Sequence, residues 1–500
     1  MHSTRRVGAL LVGLAVLTAC GSTAHYSGSV ASNDLGLPSG QASPGASSEL
    51  GAAPGGSSQA TNPNAVSSVV HSQAPNPTGQ VNADGTPNTT TGLSLGPGVN
   101  ATSISVGFTI QQNNAAVSSL ASTYNVRLAD NRAAYGALVS YVNAHGGVAG
   151  RKLLPVYFTY DPSSGNADVI GQAACAKFTQ DQQVFAALDV FVPNNTFNTC
   201  MQKRGRVMME YGLWFGSSSS WARYPNQVAA DGLPFDIAGR ILAEHLASTG
   251  FLSSSTHLGV LVRSSADLTE AYKRGFVPAL AKLGLKVDQT VYMRDAQSES
   301  DISGYTSDIS NAELKFATNN INRVVFFDTG SYSALVFSQT AQQQQYHPRY
   351  GFTSLNGIVS FKGSGSAQQM VGAQGVSWET NADGLTKTPT RNAQRCLAIL
   401  KAAGIDTSNT TTDASYLETC QTFFLFKAAG DAAGRNLNRD TFINAVENLG
   451  STFESTNTWG GATSFGLQHH TGVSEFRPFV YDQSCSCFAV SGPAQPVGSQ

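Results

Sequence analysis

The chain is short of charge. Only 12% of its 500 residues are Asp, Glu, Lys or Arg, and these nearly balance, giving a formal net charge of −2. No basic patch stands out, which argues against nucleic acid as a partner. Apolar runs of the roughly 18 uninterrupted residues that a membrane span needs are missing as well. So are the usual catalytic signatures. The body of the chain has no G-x-x-x-x-G-K-[ST] phosphate loop, no H-E-x-x-H, no G-x-G-x-x-G after a strand and no G-x-S-x-G elbow. Gly92-Leu-Ser-Leu-Gly96 has the elbow spacing but lies in a Gly/Ser/Pro-rich stretch, without the strand and helix an elbow requires. His469 and His470 are adjacent, so they point differently on any regular element, and no Asp, Glu or Cys stands beside them at ligand spacing. These absences lead us to expect neither metal nor cofactor, and no enzyme.

Residues 1–19 read as a targeting segment. Arg5 and Arg6 precede an apolar run from Val7 to Leu17, too short to span a bilayer comfortably. Leu17-Thr18-Ala19-Cys20-Gly21 resembles a bacterial lipobox, which implies cleavage before Cys20 and a lipid anchor on it in the membrane. Two acyl chains on one cysteine hold where a single chain would not. From Gly21 to Ala101 there is no Lys or Arg, and only Asp34, Glu49 and Asp84 carry charge. A segment this poor in large apolar residues cannot offset the entropy of ordering. Residues 20–102 are therefore expected to form a disordered tether with an end-to-end distance of roughly 50 Å.

Ile104 to Asp161 is where order begins. Ile104–Ile110 alternates and is rich in β-branched and aromatic residues, as a strand does. Tyr135, Leu138, Val139 and Val142 then make one apolar stripe of a helix, which should stop at Gly146-Gly147. Leu153–Tyr160 returns as a second strand, completing a βαβ unit and hence a parallel sheet. A further helix is expected near 166–179, with Val169, Ile170, Ala173 and Phe178 buried.

The stretch Asn143-Ala-His-Gly-Gly-Val-Ala-Gly-Arg-Lys152, followed by an apolar strand and Asp161, resembles the N-terminal signature of the type I solute-binding proteins of ABC importers, the leucine/isoleucine/valine-binding kind. The resemblance implies an α/β fold of two Rossmann-like lobes with parallel central sheets, joined by a three-strand hinge. On this plan the first lobe takes residues 103–231 and 370–455, and the second 232–369 and 456–490. A strand at Gln374–Glu379 would then belong to the first lobe. The implied function is extracytoplasmic capture of a small polar solute, an amino acid or similar, in the cleft, and delivery to a membrane permease of an ABC importer. A ligand-sensing or cell-surface interaction protein on the same fold is the alternative.

By that resemblance the loop after the first strand, Gln111, Gln112 and Asn113, contacts ligand. Asn194, Asn195 and Thr196 stand where the family keeps small hydroxyl residues that grip a carboxylate; they are also helix-capping types. Tyr211 and Trp214 follow the next strand as pocket wall or core. Two strand-end loops of the second lobe carry Ser264 and Asp267, and Asp328 and Tyr332. Either aspartate could face an ammonium group or act only as a cap. Finally, seven cysteines less Cys20 leave six, an even number that suggests disulfides outside the cytoplasm. Proximity in sequence favours Cys175–Cys200, Cys396–Cys420 and Cys485–Cys487, the last pair leaving redox or metal chemistry open beside a structural disulfide.

Overall fold

A computed structural model describes residues 93–112, 118, 129–161, 166–190, 195–210, 216–296, 298, 301–361, 367–380, 383–385, 388–408 and 410–498. The targeting segment, Cys20 and nearly all of the tether lie outside the described residues, among which no helix is long and apolar enough to cross a membrane.

The first sheet is all parallel. It is built from β1 (Ser103–Gln111), β2 (Lys152–Tyr160), β3 (Ala186–Val190), β4 (Val207–Glu210) and β5 (Gln227–Val228), in the order β2-β1-β3-β4-β5. Ile104, Val106 and Phe108 on one face of β1 are fully buried, and Gly107 and Thr109 on the other face are buried too, as a strand covered on both faces requires. Between β1 and β2 runs α1 (Asn131–Ala144), whose start is capped by Asp130 accepting from the Ala133 N–H at 3.0 Å. Its buried residues include the expected stripe of Tyr135, Leu138, Val139 and Val142. Gly146 and Gly147 follow at φ 88° and 69°, and a Cβ on Gly147 would lie 2.0 Å from the Arg151 carbonyl oxygen. Only glycine satisfies both demands. Arg151 itself is buried and donates to the carbonyls of Asn100 and Arg435, so the turn is stitched to the rest of the lobe.

The next helix, α2 (Ala167–Ala176), runs into a π-helical turn, Lys177–Asp181, and packs on α3 (Asn195–Lys203). Its face differs from expectation. Val169 is 56% exposed and Ala173 is exposed, while Ile170, Ala174, Cys175 and Phe178 are buried. The Cys175–Cys200 disulfide fixes the reason: it joins α2 to α3 and turns the helix so that Cys175 faces inward. Replacing both cysteines by serine should cost about 3 kcal/mol, the loop-closure entropy of a segment this long. An unchanged denaturant midpoint in the double variant would show that the bond contributes no stability.

After α4 (Ser218–Arg223) and β5 the chain crosses into a second lobe. There it forms α5 (Phe235–Ser248), β6 (Leu258–Arg263), α6 (Ala266–Glu270), a π-helical turn at Ala271–Phe276, α7 (Val277–Lys282) and β7 (Gln289–Met293). It continues through α8 (Ile302–Thr318), β8 (Arg323–Phe327), α9 (Tyr332–Gln343), β9 (Arg349–Thr353) and β10 (Gln374–Ser377). It then returns to the first lobe for α10 (Arg391–Ala402), α11 (Thr410–Ala433) and α12 (Arg439–Leu449), where Cys396–Cys420 joins α10 to α11. A third crossing leads to β11 (Glu475–Asp482), β12 (Cys487–Val490) and β13 (Gln495–Pro496) on the second lobe.

Two expectations need correcting here. The strand expected in the first lobe, β10, belongs to the second sheet. It pairs in parallel with β9, Gln374 opposite Gly351, and antiparallel with β11, Gln374 opposite Val480. Val376 and Trp378 are fully buried in the second lobe's core, so the chain crosses back only after this strand. The second sheet is also mixed rather than parallel. Its order is β12-β11-β10-β9-β8-β6-β7, with β13 on β11, and β11 and β12 form an antiparallel hairpin. A connection this short can join only antiparallel strands, and the Cys485–Cys487 disulfide sits in it.

Helices cover both faces of each sheet, giving two buried clusters per lobe. Residues just before β1 dock at the amino-terminal edge of the first sheet. Gly96 donates to the Leu437 carbonyl at 2.9 Å, Asn438 Nδ2 to Ser94 O at 2.9 Å, and Ser105 N to Gly98 O at 2.8 Å.

Candidate functional site

In parallel sheets the carboxyl ends of strands, with the helix starts that follow them, are where ligands bind. Here the carboxyl edge of the first sheet ends in Gln111 (β1), the start of α3 and Glu210 (β4). That of the second ends in Arg263 (β6), Asp295 just past β7, and Asp328 past β8. Serines at the start of α4 bring the two edges together. Asp267 Oδ1 on α6 accepts from Ser217 N at 3.0 Å, Ser217 Oγ at 2.8 Å and Ser220 Oγ at 2.5 Å. Asp236 on α5 accepts from Ser218 N at 2.8 Å and from its Oγ at 2.9 Å, and Glu270 accepts from Ser219 Oγ at 2.6 Å. Three carboxylates of one lobe thus clasp four consecutive serines of the other.

At the second-lobe edge Arg263 is the hub. Its Nε lies 3.4 Å from Asp328 and 3.6 Å from Asp295, and its Nη2 donates to Thr329 Oγ1 at 2.8 Å. Asp328 is 1% exposed and also accepts from Tyr305 Oη at 2.5 Å and from Thr329 N at 2.8 Å. Burial, reinforced by the Asp328 charge, drives the Tyr305 phenol far up, so it stays a hydrogen-bond donor. Tyr332 lies with its ring centroid 6.0 Å from that of Tyr305 and shares a 2.6 Å hydrogen bond with Thr306.

On the first-lobe edge Tyr160 donates to Gln111 Oε1 at 3.3 Å, and the Gln112 N–H donates to Tyr160 O at 2.9 Å, leaving the Gln112 side chain exposed. Asn195 is exposed at the start of α3 and accepts from Tyr224 Oη at 3.1 Å. Glu210 is buried, and burial raises its carboxyl to about 8, so at neutral pH it is an acid able to donate a hydrogen bond.

The residues singled out from the sequence therefore fare differently. Gln111, Gln112, Asn195, Ser264 and Tyr332 stand at strand ends or at the helix starts that follow them, Ser264 being exposed with its N–H bonded to Met293 O. Thr196 is turned to structural use, donating to Asp168 at 2.5 Å. Asp267 is taken up by the serine clasp and Asp328 by Arg263 and Tyr305. Asn113, Asn194, Tyr211 and Trp214 lie outside the described residues. Sequence reasoning missed Arg263, Asp295, Tyr305 and the serine clasp. A basic residue closing the apolar strand Leu258–Val262 was the one available signal. Among the described residues no group of three or more His, Cys, Asp or Glu is placed to hold a metal ion.

A sequence profile of the periplasmic binding protein family matches residues 115–485. No curated protein matches the sequence. Among solved structures, the fold is similar to that of a branched-chain amino acid ABC transporter protein from Thermus thermophilus with bound valine. The TM-score is 0.60 at 11% identity, over 80% of this chain and 97% of that one. A fatty acid ABC transporter substrate-binding protein from Thermomonospora curvata gives 0.57 at 14% identity, over 83% and 96%. The LivJ protein of Streptococcus pneumoniae, in complex with isoleucine, gives 0.54 at 12%, over 78% and 100%. At such identities the likeness speaks for the fold, and these proteins, named for fatty acids and for amino acids, share it.

Proposed function

We propose, from the premise that this chain belongs to the periplasmic binding protein family, that it captures a small polar solute, an amino acid or a molecule like one, between its two lobes. The observation that carries this reading is the Arg263 hub at the carboxyl edge of the second sheet. A guanidinium presents a planar fork suited to a carboxylate, and its side chain is 16% exposed. Asp295, at 28%, is the more open of its two acidic neighbours and suits an ammonium group. Gln111, Gln112 and Asn195, at the carboxyl edge of the first sheet, would add neutral donors and acceptors. The solute would then pass to a membrane permease of an ABC importer, with the protein held outside the cytoplasm by lipid on Cys20. The lipobox-like residues around Cys20 support the anchor, and three disulfides support an oxidising compartment.

Native mass spectrometry of the full chain purified without added solute, followed by thermal shift with amino acids, amides, sugars and short peptides, tests the reading. Either a co-purifying small molecule or a melting temperature that climbs with one of these solutes is expected, because a ligand that binds only the folded state stabilises it. An empty protein that responds to none of them would overturn solute capture and favour a partner-binding role.

A further inference from the structure

The three crossings between the lobes meet in a buried cluster of carboxyl groups that solute binding leaves unexplained. The first crossing brings Asp231, the second Glu379 and Asp383, and the third Asn457, while α11 adds Glu418. Every one of them is at most 4% exposed. Asn457 Nδ2 donates to Asp231 Oδ2 at 3.1 Å and to Glu418 Oε1 at 2.6 Å, which brings the two carboxyls onto one amide nitrogen. Asp383 accepts from Ser354 Oγ at 2.6 Å, and its N–H donates to Glu379 O at 2.9 Å. Neither oxygen of the fully buried Glu379 carboxyl has a hydrogen-bond partner among the described residues. The second and third crossings are tied directly, Thr380 N to Asn457 O at 2.7 Å, and so are the first and third, Ala229 N to His470 O at 3.0 Å and Gly472 N to Ala229 O at 2.9 Å.

Positive charge is scarce around these groups. No Lys or Arg among the described residues forms an ion pair with Asp231, Glu379 or Asp383. Arg477 on β11 is engaged elsewhere, its guanidinium 4.7 Å over the ring of Trp459, whose indole N–H is given to Ser377 O. On the third crossing Glu454 is engaged with Arg391, and His470 with Glu447. A buried carboxylate without a cation stays neutral instead.

We propose that this cluster is a proton-operated lock on the hinge: with its protons in place it ties the three crossings together, and losing them frees the lobes to move. Burial raises Asp231, Glu379 and Asp383, Asp383 to about 7, and the nearby Asp231 and Asp383 push Glu379 further up. The lock is therefore set in acid and released as pH rises through neutrality. Ionised Glu379, Asp231 and Asp383 repel one another in a region that offers little solvation. This inference concerns the hinge and holds whatever the solute is.

Amide hydrogen exchange on the full chain tests it, following the N–H groups of Ala229, Thr380 and Gly472 against those of β1 and β8. After correction for intrinsic rates, protection of the three hinge amides should fall by about tenfold or more between pH 5 and pH 8.5, while the sheet amides change less. In Glu379→Gln, which keeps the shape and cannot ionise, the fall should shrink. Asp383→Asn serves the same purpose if the first variant does not fold. Equal pH responses of hinge and sheet amides, or variants that respond as the wild type does, would overturn the lock.

Discussion

Heated in buffers between about pH 5 and about pH 9, the protein should melt at steadily lower temperatures as pH rises. The cause is a set of acids that the fold holds protonated. Burial lifts Asp383 from an ordinary value of 3.8 to about 7 and Glu210 from 4.5 to about 8, and lifts Asp231 and Glu379 in the same direction. Below the ordinary values, near pH 4, both folded and unfolded chains carry these protons and stability is unaffected. Between there and the raised values the folded chain holds protons that the unfolded chain has released, so stability falls with pH. Above about pH 8 the fall levels off for Asp383 and Glu210. At about 1.4 kcal/mol per pH unit, each of these two represents on the order of 4 kcal/mol lost across the window. For a body of this size that is a drop on the order of 10 °C. Scanning calorimetry from acid to alkaline buffers checks it, with Asp383→Asn and Glu210→Gln expected to flatten the curve. A melting temperature that rises over the same range would contradict the whole account.

The second large effect belongs to Arg263. Replacing it by alanine removes the proposed carboxylate-binding fork and also strands Asp328, a side chain only 2% exposed with its carboxylate beside Arg263. Leaving a buried charge uncompensated costs about 3–5 kcal/mol, so Arg263→Ala should be strongly destabilised. The double variant Arg263→Ala/Asp328→Asn separates the two roles. With the stranded charge gone, stability should return. Affinity for the solute should not, remaining about a hundredfold below wild type, the scale of losing one charged hydrogen-bond partner to a ligand. Arg263→Lys should recover less than the full affinity, because an ammonium cannot serve Thr329, the acids and a carboxylate in one plane. Calorimetric titration with the solute found by mass spectrometry reads the result. Wild-type affinity in the double variant would reduce Arg263 to a structural residue.

What could be seen in the sequence was local. The stripe Tyr135, Leu138, Val139, Val142 and the glycine pair after it specify a helix and its end by spacing and by backbone freedom alone, and the structure has them. The strands Leu258–Arg263 and Arg323–Phe327 are likewise apolar runs with clear ends. The lobe to which β10 belongs was not visible, because Gln374–Ser377 reads the same in either sheet. Only its pairing with β9 and β11 decides. The buried face of α2 was shifted by a covalent bond whose effect on rotation no apolar count contains. The roles of Asp267 and Asp328 were undecidable for a similar reason. Each sits on a strand-end loop where a ligand could be met, and each is occupied by a partner far along the chain, Ser217 and Ser220 for one, Tyr305 and Arg263 for the other. The hinge carboxyls were the least legible feature, since Asp231, Glu379 and Glu418 come from three distant segments and look in sequence like ordinary surface acids.

The docking of residues 93–100 has a mechanical consequence. Whatever precedes Leu93 joins the body at the amino-terminal edge of the first sheet, through Gly96 to Leu437 and Ser94 to Asn438. The candidate site residues lie at the other, carboxyl end of the same strands. A pull on the leading peptide is therefore borne first by one lobe, along β1 and the start of α12.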